Sequence, residues 1–226
     1  MSYFDNINPT VLGEVPSDAR KIGEVGCGAG AMARAIKARQ PVQHYCGIDI
    51  QQDQLLLAQG HLEQAIQVDL NRIGEWHEAV ALAPLLSGDF DCWIAGDVLE
   101  HLIAPEATLR AIHRSLKPGG TALVCVPNVC NWQVFTQLVR GSWPREDAGL
   151  FDRTHLRWFS ATDMKTLLES TGFQVEKMLA RTFHDDLGHE VLEFFEPLCD
   201  YLGVDFDSFQ RDGMALQHVY VARKAM

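Results

Sequence analysis

The chain has 226 residues, 47% of them apolar and 22% charged, a balance that supports a folded core and excludes a disordered or fibrous protein. A fold of this length buries roughly 70% of the surface of its unfolded chain. The expectation is a single domain over residues 1–226. Lys plus Arg number 19 against 30 Asp plus Glu, a formal net charge of −11, so no nucleic-acid partner is expected.

Residues 1–15 carry Asp5, Asn6, Asn8 and Glu14, with no basic start and no apolar run, so neither a signal nor a membrane-inserting segment is expected there. Cys27, Cys46, Cys92, Cys125, Cys130 and Cys199 form no CxxC pair, and most lie in apolar runs. Free buried thiols in a reducing, cytoplasmic compartment are the expectation.

From residue 21 to about 171, short apolar runs alternate with longer amphipathic ones. Residues 21–26 read as a strand that stops at glycines, and residues 29–39 as a helix. Strands are expected over 44–49 and 64–69, with a helix near 52–59 between them. Residues 73–86 are helical but interrupted by Pro84, and residues 90–95 give a fourth strand. A helix over 105–116 opens on Pro105, where a missing N–H does no harm, and a KPGG turn leads to a strand over 121–126. The runs 90–95 and 121–126 are apolar throughout, as in parallel strands covered on both faces. The pattern predicts an α/β doubly wound sheet, with an α+β arrangement of the same elements as the alternative.

Beyond 127 the character changes. Residues 127–160 read as a connector containing a helix over 131–140, a helix that could also serve as a homodimer surface. Ser160 is a natural N-cap, with Asp163 placed for a capping box, and the helix it starts should end at Gly172. Residues 173–180 and 215–222 read as final strands, and the acidic, aromatic segment 184–212 as a helical insertion between them. Within it His184, Asp185, Asp186, His189 and Glu190 have the composition of a metal cluster. The five-residue histidine spacing is poor for one helical face, so an acidic lid is preferred and no metal is expected.

Chemistry concentrates at EVGCGAG, residues 24–30, between the first strand and first helix. Glycines there allow a sharp turn and a close approach of backbone to a ligand, although plain glycine turns also look like this. Asp49, ending the second strand 19 residues beyond Gly30, could accept both hydroxyls of a ribose. A dinucleotide could use the same helix start, but Glu24 suits a ligand bearing positive charge.

The chain resembles the class I S-adenosylmethionine-dependent methyltransferases, over most of residues 10–182. EVGCGAG is similar to their first motif, GIDI to the block with the ribose-gripping acid, and QVDL to the block with the adenine-side acid. FDCWIAGDVLEHL and LKPGG followed by VCVPN are similar to the fourth-strand and fifth-strand blocks, and GLFDRTHLRWFS resembles a bacterial small-molecule branch associated with glycans or secondary metabolites. The resemblance implies a doubly wound, seven-stranded, mostly parallel sheet with an antiparallel last strand beside strands five and six. It implies S-adenosyl-L-methionine as cofactor, held by Glu24, Gly26, Cys27, Gly28, Gly30, Asp49, Ile50, Asp69, Leu70 and Gly96. Gly23 stands where a bulky apolar residue is usual, which should weaken packing, and Val68 where glycine is frequent.

Transfer to oxygen or nitrogen needs a base, for which His101 and His155 are the expected groups, with Asp97 beside them. Each has a structural alternative: a capping or packing histidine for His101, an N-cap for Asp97, and a salt-bridged connector for residues 152–157. Asn128, Trp132 and Arg157 are expected to contact a small-molecule acceptor, although Trp132 and Phe135, three apart, also suit helix packing. The function expected is O-methylation of a sugar-containing or secondary-metabolite acceptor. A phenolic or quinone precursor and a non-catalytic cofactor-binding scaffold are the alternatives, with hydride transfer a remote third.

Overall fold

A computed structural model describes residues 7–183 and 185–226. Seven strands form one sheet: β1 Lys21–Val25, β2 His44–Asp49, β3 Gln64–Gln67, β4 Phe90–Gly96, β5 Leu116–Pro127, β6 Phe173–Thr182 and β7 Ala215–Lys224. Their order is β3-β2-β1-β4-β5-β7-β6, with β7 antiparallel to both β5 and β6 and the first five strands parallel. This is the doubly wound methyltransferase sheet that the motif resemblance implied. The parallel pairing of β1 to β5 excludes the α+β alternative.

Nine α-helices accompany the sheet among the described residues: α1 Pro9–Glu14, α2 Ala31–Arg39, α3 Gln52–Ala58, α4 Pro105–Ser115, α5 Trp132–Val139, α6 Ala161–Ser170, α7 Asp186–Glu193, α8 Glu196–Leu202 and α9 Phe206–Met214. Residues 73–86, expected to be helical and interrupted at Pro84, hold no α-helix: three short 3-10 turns, Leu70–Arg72, Trp76–Glu78 and Ala83–Ser87, span this region instead. Proline and glycine interrupt any longer run there. None of the helices in the described residues is long and apolar enough to cross a membrane.

Alternate residues of β4 feed two cores on opposite faces, as a period-two strand must. Trp93 and Ala95 join Leu109 and Ile112 of α4 and Met164 and Leu168 of α6. Cys92 and Ile94 join Val11 of α1 and Met32 and Ile36 of α2. Gly23 does not weaken this packing. It lies in register with Trp93, and a Cβ built on it would stand 2.4 Å from the indole, so the absent side chain is the space that Trp93 fills. Trp93 is fully buried, and its Nε1 donates to Ser115 Oγ at 3.0 Å.

Ser160 caps α6 as expected, its Oγ accepting from Asp163 N at 3.1 Å and donating to Asp163 Oδ2 at 2.7 Å. Helices α7–α9 form the excursion between β6 and β7. Aromatic contacts fasten it to α5, with Phe135 5.4 Å from Phe195 and 5.5 Å from Phe209 between ring centres.

Candidate active site

The strand order reverses between β1 and β4, and open α/β sheets bind ligands beyond the carboxyl ends of the strands at that point. A crevice of about 850 Å³ opens there. One wall is the turn from β1 to α2. Gly26, Gly28 and Gly30 all have positive φ, at 72°, 49° and 77°, a region costly for residues with a Cβ. At Gly26 a Cβ would also fall 2.3 Å from the Val98 side chain. The turn is pinned to β2 by Gly26 N and Cys27 N, which donate to Ile48 O at 2.8 and 3.2 Å.

Asp49 closes β2 with its carboxylate in this crevice. Oδ2 accepts from Gly28 N and Oδ1 from Gln51 N, both at 2.8 Å, so acid and glycine turn hold each other in place. Lone pairs remain on both oxygens for further donors. Glu24 lies deeper, accepting from the Tyr45 hydroxyl at 2.8 Å. Burial pushes its carboxyl up to about 8, with the Tyr45 hydrogen bond working against the rise and the Asp49 charge adding to it. Asp69, Leu70 and Ile50 line the outer part of the cleft, and Gly96 its floor at the end of β4. Asp69 is drawn partly outward, pairing with Arg72 Nε at 3.1 Å. Cys27 lines the crevice with an inert thiol that burial pushes far up. Gly30 does not line it: it caps α2 and packs against Ala58, where a Cβ would meet the Ala58 Cβ at 3.2 Å.

The opposite wall holds Asp97 and His101. Asp97 is the one non-glycine residue among those described with positive φ, at 54°. It does not cap the following 3-10 turn, whose N-cap is Val98. Its Oδ1 accepts from Gln217 Nε2 of β7 at 2.5 Å, and Arg181 of β6 donates to Gln217 Oε1 at 2.6 Å. Burial lifts the Asp97 carboxyl to about 6, with Arg181 opposing the rise. His101 Nδ1 lies 3.2 Å from Thr154 O and 3.1 Å from Thr154 Oγ1, and because a carbonyl can only accept, a hydrogen bond to it is donated by Nδ1–H. Thr154 Oγ1 donates to Asp152 Oδ1 at 2.6 Å within the connector, and the Thr154 contacts with His101 Nδ1 tie the connector to this wall.

His155 packs behind His101, with ring centres 4.8 Å apart, and does not line the crevice. Burial lowers its pKa first, and the neighbouring His101 lowers it further. Its Nε2 faces Glu100 Oε1 at 4.0 Å. Glu100 is 1% exposed, neither carboxylate oxygen has a hydrogen-bond partner, and burial holds the group well above the usual carboxylate range. One ligating atom from each of Glu100, His101 and His155 lies within 4.8 Å of the others. The sequence singled out His101 and His155 but did not indicate that Glu100 would join them, because His155 comes from the connector. The 184–190 cluster that composition suggested includes His184, which lies outside the described residues.

Three residues expected at the acceptor are placed elsewhere. Asn128 is fully buried, and its Nδ2 donates to Asp212 O and Ala215 O at 2.8 and 3.0 Å, clamping β5 to the end of the insertion. Trp132 packs on α7, where the indole leaves room only for the bare Gly188. Arg157 reaches Ile103 O at 2.5 Å on the exterior. Conversely, the crevice gains Asn8, the N-cap of α1, Val11 of α1, Arg181 from β6, and Arg153 and Thr154 from the connector. Helix α1 did have a readable start, Asn8 followed by Pro9, and Asn8 Oδ1 accepts from Thr10 N at 3.0 Å.

A switch-point crevice with a glycine turn, a carboxylate at the end of β2 and a seven-stranded sheet with antiparallel β7 defines the class I S-adenosylmethionine-dependent methyltransferase fold. A family model described as a methyltransferase domain matches residues 5–178, and the chain belongs to that family. It is 31% identical over 128 residues to a ubiquinone biosynthesis O-methyltransferase of Pseudomonas aeruginosa (strain UCBPP-PA14), a match covering 54% of this chain and 53% of that protein. The chain thus spans about half the length of the curated relatives it matches. Among solved structures, it is similar to an S-adenosylmethionine-dependent methyltransferase from Mesorhizobium loti, at TM-score 0.62 and 14% identity, with 96% of each chain covered. It is also similar to the magnesium protoporphyrin IX methyltransferase of Synechocystis PCC 6803 with bound SAH, at TM-score 0.58 and 14% identity, with 96% of this chain and 81% of that one covered.

Proposed function

We propose that the protein transfers a methyl group from S-adenosylmethionine to a hydroxyl oxygen of a small molecule. The observation that carries this is the continuity of one crevice from the Gly26–Asp49 cradle to the Asp97–His101 wall. The residues fit such a cofactor: bare glycine backbone where a Cβ would collide, a carboxylate with spare lone pairs, and a buried acid, Glu24, whose raised carboxyl a cationic ligand would draw back towards its ionised form. When bound, S-adenosylmethionine supplies a methyl carbon that the acceptor oxygen takes as the C–S bond breaks, the electron pair staying on sulfur. The chain's own task is then to hold the acceptor in line and to let its proton leave, and alignment alone can supply several kcal/mol. Asp97 and His101, which line the crevice wall, are the groups we assign to the acceptor side. His155 supports them from behind.

A phenolic or quinone-precursor acceptor is favoured by the similarity to the ubiquinone biosynthesis O-methyltransferases of Pseudomonas. A sugar-containing acceptor is the second reading, favoured by the polar groups of Asp152, Arg153 and Thr154 in the crevice wall. The discriminating experiment incubates the full chain with methyl-labelled S-adenosylmethionine and two acceptor panels, catechol-type phenols and nucleotide-linked sugars. Label is expected in the phenols. Label in the sugars alone selects the second reading, and S-adenosylhomocysteine binding without label in either panel points to a non-catalytic scaffold.

A further inference from the structure

The crevice carries one charged group for which methyl transfer alone provides no task. Among the described residues six acids line it, against two arginines, Arg153 and Arg181. Arg153 is already paired: Nη2 meets Asp147 Oδ1 at 2.6 Å, and Nε donates to Glu146 O at 3.3 Å. Arg181, at the end of β6, is not. The one hydrogen bond that its side chain makes among the described residues runs from Nη1 to Gln217 Oε1 at 2.6 Å. The same Gln217 amide donates to Asp97 Oδ1 at 2.5 Å, so a neutral group stands between the cation and the acid, and the charge of Arg181 acts on Asp97 across it.

Nε and Nη2, a whole edge of the guanidinium fork, are therefore left over. Two parallel N–H donors on one edge match the two oxygens of a carboxylate. The fork is also fixed beforehand. Gln217 holds Nη1, and the Phe183 ring centre lies 5.2 Å from Cζ, so the cation rests on an aromatic face. A guanidinium held on one edge and one face loses little freedom when a ligand fills its other edge.

The strand order says which ligand that is. Strands β1 and β2 carry the cofactor cradle, β4 leads into Asp97, and β5 and β7 separate β4 from β6. Arg181 thus lies beyond Asp97 from the cradle, on the acceptor side. With one amide between them, Arg181 Nη1 and Asp97 Oδ1 stand at most about 7.5 Å apart, so one small molecule can reach both. A crevice this rich in acids, in a chain of net charge −11, repels an anion unless a fixed cation receives it.

We propose that the free edge of Arg181 binds a carboxylate of the acceptor, which makes the substrate a hydroxylated acid and not a neutral phenol or sugar. This rests on the hydroxyl-methylation reading above and narrows its substrate class. The carboxylate seats on Arg181, and the hydroxyl to be methylated lies toward Asp97 and His101.

The probes are 3,4-dihydroxybenzoate and 3,4-dihydroxybenzamide, which share a shape and differ in charge. Calorimetry on the full chain saturated with S-adenosylhomocysteine should show the acid bound at least tenfold more tightly than the amide. Arg181→Gln should abolish that preference with S-adenosylhomocysteine affinity unchanged, whereas a merely structural role would weaken both probes alike. Equal affinities in the wild type overturn the proposal, as does no saturable binding of the acid or a preference that survives in the variant. A variant that melts like the wild type but loses S-adenosylhomocysteine affinity gives the edge to the cofactor's own carboxylate, which also overturns it. Where the variant does not fold, the wild-type comparison decides. Methylation of the amide as fast as of the acid refutes the carboxylate subsite and leaves hydroxyl methylation standing. Arg181-dependent binding of the acid without turnover of any acceptor does the reverse.

Discussion

Glu24 makes the most quantitative prediction. Its carboxyl moves from 4.5 in an unconstrained chain to about 8 in the folded protein, first because it is buried. Between those values the folded state keeps a proton that the unfolded chain has released, so the contribution of Glu24 to stability is full below 4.5 and is lost as pH rises through 8. At about 1.36 kcal/mol per pH unit, the loss across the window is about 3–5 kcal/mol. Glu24→Gln removes the titration, and its amide oxygen can still accept from Tyr45. Urea denaturation of both proteins at intervals from about pH 5 to about pH 8.5 isolates the group, because Asp97 and every other acid titrate in both. The variant should gain on the wild type by about 3–5 kcal/mol across that range. Parallel stability profiles would refute the reasoning, since they would mean that Glu24 is already ionised in the folded crevice.

Two further outcomes follow from the geometry. Asp49→Ala removes a carboxylate that both offers lone pairs to the cleft and holds Gly28 N, so calorimetric affinity for S-adenosylhomocysteine should fall by about 1.5–3 kcal/mol, roughly tenfold to more than a hundredfold. Gly23→Ala pushes a methyl into the Trp93 indole and should lower stability in chemical denaturation by about 1–3 kcal/mol, with little effect on cofactor affinity because neither residue lines the crevice.

The fold was legible because its physics is local. Uninterrupted apolar runs announce strands covered on both faces, and a capping pair such as Ser160 with Asp163 announces a helix start. The cofactor side was legible for a related reason: a glycine turn and the acid that steadies it each occur as short, contiguous motifs. The acceptor side was not. His155 meets Glu100 only because Leu156 N and Arg157 N donate to Glu100 O at 2.7 and 3.0 Å and fold the connector back onto the end of β4. Asn128 reads as a free polar group at a strand end, and only the return of the insertion reveals two carbonyls waiting for its amide. Gly23 reads as a defect until its neighbour across the ladder is known to be a tryptophan.

The placement of β7 between β5 and β6 has a consequence for how the molecule assembles. Within the sheet β6 has β7 as its partner, so residues 173–182 join it only through residues 215–224, either after that strand has paired with β5 or together with it. Loop closure over so long a separation favours late docking. Arg181 and Gln217, which steady Asp97, travel on these two strands, whereas the glycine turn and Asp49 belong to the early-pairing half. A chain caught partway would hold a nucleoside-sized cleft whose far wall lacks its braces, able to grasp a donor before Asp97 is held in place.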